Sequence, residues 1–369
     1  MLTASGRCGR WIGFLVLLVG PGLAWAQPAA PNLTLIRRNA SIATIDQQNI
    51  QNWVDAQIDT LLNSPMLDTD APRIRASLLE HYTAQDATQG FRDVLARSVV
   101  TALTARYKGT TDINGGSAPR PLAIVHALLI LNAYEHPAAL EVYRAALADK
   151  SNPPAPAVKL TAVEGLIRLR DRLEAQQWNA LLPEVQAVGT TIQDPVALGR
   201  IYRFLRVENP ADRAAAATDA VIAILEARLE RVEKRGELPS LSDTIATDYL
   251  APQALAGQNA QLQNRITQLI ARLLADAVHA YVNQKPIGQA REQLERLIFV
   301  AENQLRTIAS ARGKTPPSVT GALQAGGADQ GQQMTAELNK WIGAGNTPGV
   351  LNTAPFNLPI GLGIQRVAV

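Results

Sequence analysis

Arg200, Arg203 and Arg206 recur at every third position of Pro195–Val207, a stretch without an acidic residue. A guanidinium is a rigid fork of donors that meets carboxylates and phosphates through paired, parallel hydrogen bonds. Lys159, Arg168, Arg170 and Arg172 lie on the preceding helical segment. If the two segments stack side by side, part of this charge gathers into a basic ridge. Such a ridge is a candidate surface for an acidic protein or an anionic envelope polymer. The competing reading is a solvated helix face balanced by Asp171, Glu174 and Glu208, because most surface charge only keeps a protein hydrated.

The remaining chemistry-bearing residues form no constellation. The histidines are His81, His126, His136 and His279, and none belongs to an HExxH or another close ligand pair. His279 follows Asp276 by three residues, a helical spacing that more often serves structure than catalysis. Asp68 and Asp70 resemble the start of a calcium loop, but its glycine and closing glutamate are missing. Gly313-Lys314-Thr315 matches the end of a phosphate-binding loop. Ile308, however, occupies the place of the first glycine, and Pro316-Pro317 follows where a helix must start. Neither a G-x-S-x-G elbow nor a G-x-G-x-x-G turn occurs. No catalytic, cofactor-binding or metal-ligating residue is therefore expected, and the chain reads as a non-enzyme.

The elements that carry the arginines repeat. Three segments open alike, at Pro121, Pro156 and Pro195. Proline suits the first helical position, where its missing N–H would have no partner anyway. Ten residues on stand Leu131, Leu166 and Leu205; six residues on stand Ala127, Ala162 and Ile201. Each opener is followed by a second helical stretch: 137–148, 175–188 and 210–233. The period and apolar spacing resemble the HEAT and armadillo class of α-helical repeats, over roughly a third of the chain. That resemblance implies an α-α superhelix whose stacked helix pairs share one core and expose an extended protein-binding surface. An irregular all-α domain is the alternative. Few aromatics, 5% of residues, beside 47% apolar content favour helices over a β-sandwich.

Residues 1–26 read as a secretory signal peptide. Arg7 and Arg10 precede an apolar run from Trp11 to Val19, and Ala24-Trp25-Ala26 fits a cleavage site between Ala26 and Gln27. The run is short for a bilayer span. Cys8, the single cysteine, lies before the run, where lipid attachment is not expected. Loss of the two arginines takes the formal charge from +3 to +1, too little to attract nucleic acid. A periplasmic or secreted location follows, with no stable membrane span after cleavage.

The other boundaries read as a disordered segment at 27–40, a helical repeat domain at 41–236 and a linker at 237–258. A helical hairpin at 259–312 comes next. At 313–369 a Gly/Pro-rich linker, one short helix and a flexible tail follow. Phe356, Leu358, Ile360, Leu362 and Ile364 give that tail apolar residues with which to dock. The expected function is an exported scaffold or protein-binding module of the cell envelope. The alternatives are an envelope component that self-associates through the hairpin or tail, and an enzyme acting on cell-wall polymers. A deep polar cleft with convergent carboxylates would mark the enzyme.

Overall fold

The computed structural model describes residues 32–114, 116–152, 155–256 and 259–364. The expected signal peptide, its cleavage site at Ala26 and Gln27, and residues 27–31 lie outside the described residues. Among the described residues the chain is all-α, with fifteen α-helices and no strand. They are α1 (Leu33–Ile36), α2 (Thr44–Asn63), α3 (Leu67–Thr83), α4 (Gln89–Arg106), α5 (Pro121–Tyr134), α6 (Leu140–Leu147), α7 (Pro156–Leu169) and α8 (Ala175–Thr191). The rest are α9 (Pro195–Leu205), α10 (Ala211–Arg235), α11 (Asp243–Ala256), α12 (Ala260–His279), α13 (Gly288–Ala311), α14 (Val319–Ala325) and α15 (Gln330–Ile342).

The three openers are helices α5, α7 and α9, each with its proline at the N-terminus. The matched positions all face inward: Leu131, Leu166, Leu205, Ala127, Ala162 and Ile201 are buried. Their partners are α6, α8 and α10. Gly236 ends α10 in the left-handed region, at φ 66°, where a side chain would be strained. Helices two apart in sequence are the neighbours: α3, α5, α7, α9 and α11 follow one another, as do α6, α8, α10 and α12.

Like ends of successive openers lie together. Tyr82 Oη at the end of α3 donates to Tyr134 O at the end of α5, at 2.7 Å. Arg172, just past α7, donates to Glu135 O, just past α5, at 2.6 Å. Arg170 Nη1 donates to Arg206 O beyond α9 at 2.8 Å and to Arg203 O at 3.2 Å. The last carbonyls of a helix have no partner within it. Here the neighbouring helix supplies one, and a cation suits that negative end of the dipole.

Three segments differ from the sequence reading. The stretch read as disordered is folded from residue 32, because Leu33 and Ile36 are buried and Arg37 O accepts from Thr88 N at 2.8 Å. The linker at 237–258 contains α11. Pro252 inside it removes one backbone donor, and burial of Ala246, Leu250 and Ala254 outweighs that loss. The Gly/Pro-rich stretch after Arg312 contains α14 and the start of α15, anchored by buried Val319 and Met334. The tail is docked rather than loose up to residue 364. Leu351, Phe356, Leu358 and Leu362 are buried, Gln268 Nε2 donates to Leu362 O, and the Arg312 guanidinium covers the Phe356 ring at 4.9 Å. The hairpin is present as α12 and α13, joined through a π-helical turn at Ala280–Gln284.

Candidate functional site

The C-terminal end of α9 brings together part of the predicted basic ridge. Arg200 leaves it: its Nε lies 2.5 Å from Glu164 Oε1 on α7, a charge-balanced pair. Arg168 and Arg172 share the Glu135 carboxylate at 3.2 and 3.1 Å. Lys159 sits in the first turn of α7, at the opposite end of that helix from Arg168. Arg203 and Arg206 remain, exposed and without a hydrogen-bond or ion-pair partner for either guanidinium among the described residues. They line a cleft of about 420 Å³ with Arg170, Asp171, Glu208 and Asn209.

Arg170 is fixed in that cleft. Its Nε reaches Asp171 Oδ1 at 3.2 Å while Nη1 caps α9. Asp171 points its carboxylate almost wholly to water, with a side-chain exposure of 87%. The cleft thus holds three guanidiniums, one immobilised and two uncommitted, against two carboxylates. Two free forks on one helix end can grip a carboxylate or phosphate bidentately.

A larger cleft of about 720 Å³ lies beyond the Arg206–Glu208 segment, which borders both. Helices α10 and α11 and the start of α12 wall it. Its floor is a closed set of bonds: Gln253 Nε2 donates to Thr218 Oγ1 at 3.1 Å, and Tyr249 Oη donates to Val207 O at 3.0 Å. Arg265 on its rim is held by both oxygens of Glu226, each at 2.7 Å.

The other sequence candidates stay apart. Asp68 and Asp70 occupy the first turn of α3. Asp70 accepts from Ser64 Oγ at 2.5 Å and from Arg73 at 3.1 Å, bonds that hold its carboxyl below the usual range. His81 stands edge-on to Trp53 at 5.5 Å. His136 Nδ1 accepts from Ala138 N at 3.1 Å, and His279 Nδ1 lies 2.8 Å from Asn283 Nδ2. Burial pushes His81, His126 and His136 below the ordinary histidine value. Among the described residues no group of three histidines, cysteines or carboxylates converges as metal ligands. No described helix is long and apolar enough to cross a membrane.

Sequence reasoning missed two clusters built on buried charge. Asp243 accepts from Tyr202 Oη at 2.9 Å, from Arg228 Nε at 2.9 Å and from Ser240 N at 3.3 Å. This cluster locks α9, α10 and α11 together. Glu302 of α13, fully buried, accepts from Val319 N at 2.6 Å and Thr320 N at 2.7 Å. It therefore caps α14, with Trp341 Nε1 of α15 at 3.4 Å. The signal was available: Arg228 follows Ile224 by four residues and Val221 by seven, and Glu302 follows Ile298 by four. A charge on an apolar stripe demands a buried partner.

No family model matches the chain, and neither the curated proteins nor the solved structures include a match.

Proposed function

We propose that this chain is an exported, non-enzymatic α-helical scaffold of HEAT/armadillo-like type that binds an acidic protein partner in the cell envelope. The observation that supports it most is the pair Arg203 and Arg206, left without partners beside the fixed Arg170 at the end of α9. A protein stabilises itself little by stranding two guanidiniums together, whereas an acidic segment would be gripped there. The neighbouring openers give the pair a rigid mount, since Arg170 ties the end of α7 to that of α9.

An enzymatic reading has less support. The larger cleft does carry Glu208, Asp219 and Asp248, but all three are exposed. A polymer-cleaving pair requires one carboxyl shielded in apolar surroundings.

Titration of a fluorescent decaglutamate peptide tests the proposal. Saturable binding is expected, weakened about tenfold or more by the double variant R203Q/R206Q and unchanged by Arg200→Gln. Equal binding by all three proteins would remove the idea.

A further inference from the structure

The larger cleft is chemically unlike the basic one, and its uncommitted groups point to a second ligand. Four of its polar side chains make no hydrogen bond or contact ion pair among the described residues: the Arg206 guanidinium, the Glu208 carboxylate, the Gln261 amide and the Asp219 carboxylate, which the Arg265 guanidinium attracts from beyond contact distance. Asp248, also on the wall, accepts from Gln304 Nε2 at 2.6 Å. The floor, by contrast, is satisfied internally through Thr218, Tyr249 and Gln253.

Ligand classes can be weighed against this lining. An anion meets three carboxylates, and of the two guanidiniums present that of Arg265 is occupied by Glu226. A cation meets Arg206. An apolar ligand would strip water from the free carboxylates without replacing their hydrogen bonds, which is costly. A protein anchor residue needs a dry apolar or aromatic pocket. Here the apolar wall is interrupted by charged groups and consists of Ala214, Ala215, Pro252, Leu262 and the half-buried ring of Tyr249. An uncharged ligand dense in both donors and acceptors satisfies every free group. Its hydroxyls donate to the carboxylates of Glu208 and Asp219 and accept from Arg206 and Gln261, while its C–H faces lie against Tyr249 and Pro252. The volume, about 720 Å³, falls in the range of small-ligand sites.

We infer that the cleft between α10, α11 and the start of α12 is a carbohydrate-binding site that takes a neutral oligosaccharide. It shares Arg206 and Glu208 with the acid-binding cleft across that segment, so a bound glycan and a bound acidic segment would draw on the same Arg206 guanidinium.

Isothermal titration of the full chain with chitotetraose, cellotetraose and maltotetraose tests this, with a neutral Gly-Ser decapeptide as the rival class. At least one oligosaccharide should bind saturably. Asp219→Ala and Gln261→Ala, each at an exposed helix position, should weaken it about five- to tenfold. Arg203→Gln, which borders only the basic cleft, should leave it unchanged. Thermal melts of the variants matching the parent keep the comparison fair. No saturable binding of any of the three sugars would overturn the inference. So would saturation by the peptide alone, or affinities that Asp219→Ala and Gln261→Ala leave intact. None of those results bears on decaglutamate binding, so the two sites stand or fall separately.

Discussion

The array of α5 to α10 and the block of α11 to α15 are built by different rules. In the array most of the interior is apolar, with the buried Asn132 donating to Thr161 O between α5 and α7 at 3.1 Å, and shape helps to set helix spacing. Gly165 of α7 shows this: a Cβ there would come within 2.3 Å of Tyr143 Cζ and 2.4 Å of Asn132 Oδ1. Its polar links lie partly at the helix ends, where Arg172 and Arg170 donate to their neighbours' last carbonyls, and partly along the helices, as Arg200 with Glu164 and Arg144 with Glu184. The terminal block instead buries charge. Asp243 joins α11 to the array, Glu302 docks α14 and α15, and Glu233 with Arg272 ties α10 to α12 at 2.8 Å. Within α5 to α10, matched apolar faces do most of the choosing of neighbours. Beyond α10, a buried carboxylate makes the choice at each junction, because any other docking would strand it.

The largest effect is expected at the junction. Asp243→Ala leaves the buried Arg228 guanidinium and the Tyr202 hydroxyl without their acceptor, and should cost about 3–5 kcal/mol in urea unfolding. A loss near zero would mean that apolar contact alone seats α11. Glu302→Ala comes next, at about 2–4 kcal/mol, since two backbone donors and the Trp341 indole lose their acceptor. Amide exchange should accelerate in 319–342 and stay slow in 121–236; uniform acceleration would erase the distinction between the regions.

Within the array, Gly165→Ala should cost about 1–3 kcal/mol by overpacking. Gly199→Ala makes the control, because its nearest atom is the mobile end of Ile245 at 3.2 Å, and should stay within about 1 kcal/mol of the parent. Equal effects would show that Gly165 is not a spacing device.

The smallest effect is a pH dependence that falls on the array side. Burial lowers His81 of α3, His126 of α5 and His136 after α5 below 6.5. The unfolded chain then takes up protons first on acidification. Their contribution is complete above about pH 6.5 and is lost as pH falls through the folded values. The melting temperature should drop between about pH 7.5 and 5.5, and the triple replacement by glutamine should flatten that drop. An unchanged slope would contradict the assignment.

The array was legible because three prolines announced three helix starts and the same inward positions carried leucine or a small residue. The block was legible where it kept a long stripe, in α12 and α13, and in the later turns of α15. Helix α11 hid behind Pro252, a residue that removes one helix bond and crowds the carbonyl four residues back, a cost that the burial of Ala246, Leu250 and Ala254 outweighs. Helix α14 and the first turn of α15 hid among glycines, and the anchor of α14, Glu302, lies seventeen residues away from Val319. For the same reason one arginine of the basic ridge, Arg200, does not belong to it. Spacing placed Arg200, Arg203 and Arg206 on one helix, but only packing revealed that Glu164 neutralises the first. Charges are read in sequence along one element, whereas their partners come from the next one.

Photo-crosslinking of a decaglutamate peptide carrying one benzophenone, mapped by mass spectrometry, tests the functional claim most directly. The adducts should concentrate at residues 168–172 and 203–209 and vanish in R203Q/R206Q. Adducts spread over α12 and α13, or undiminished in the double variant, would contradict it.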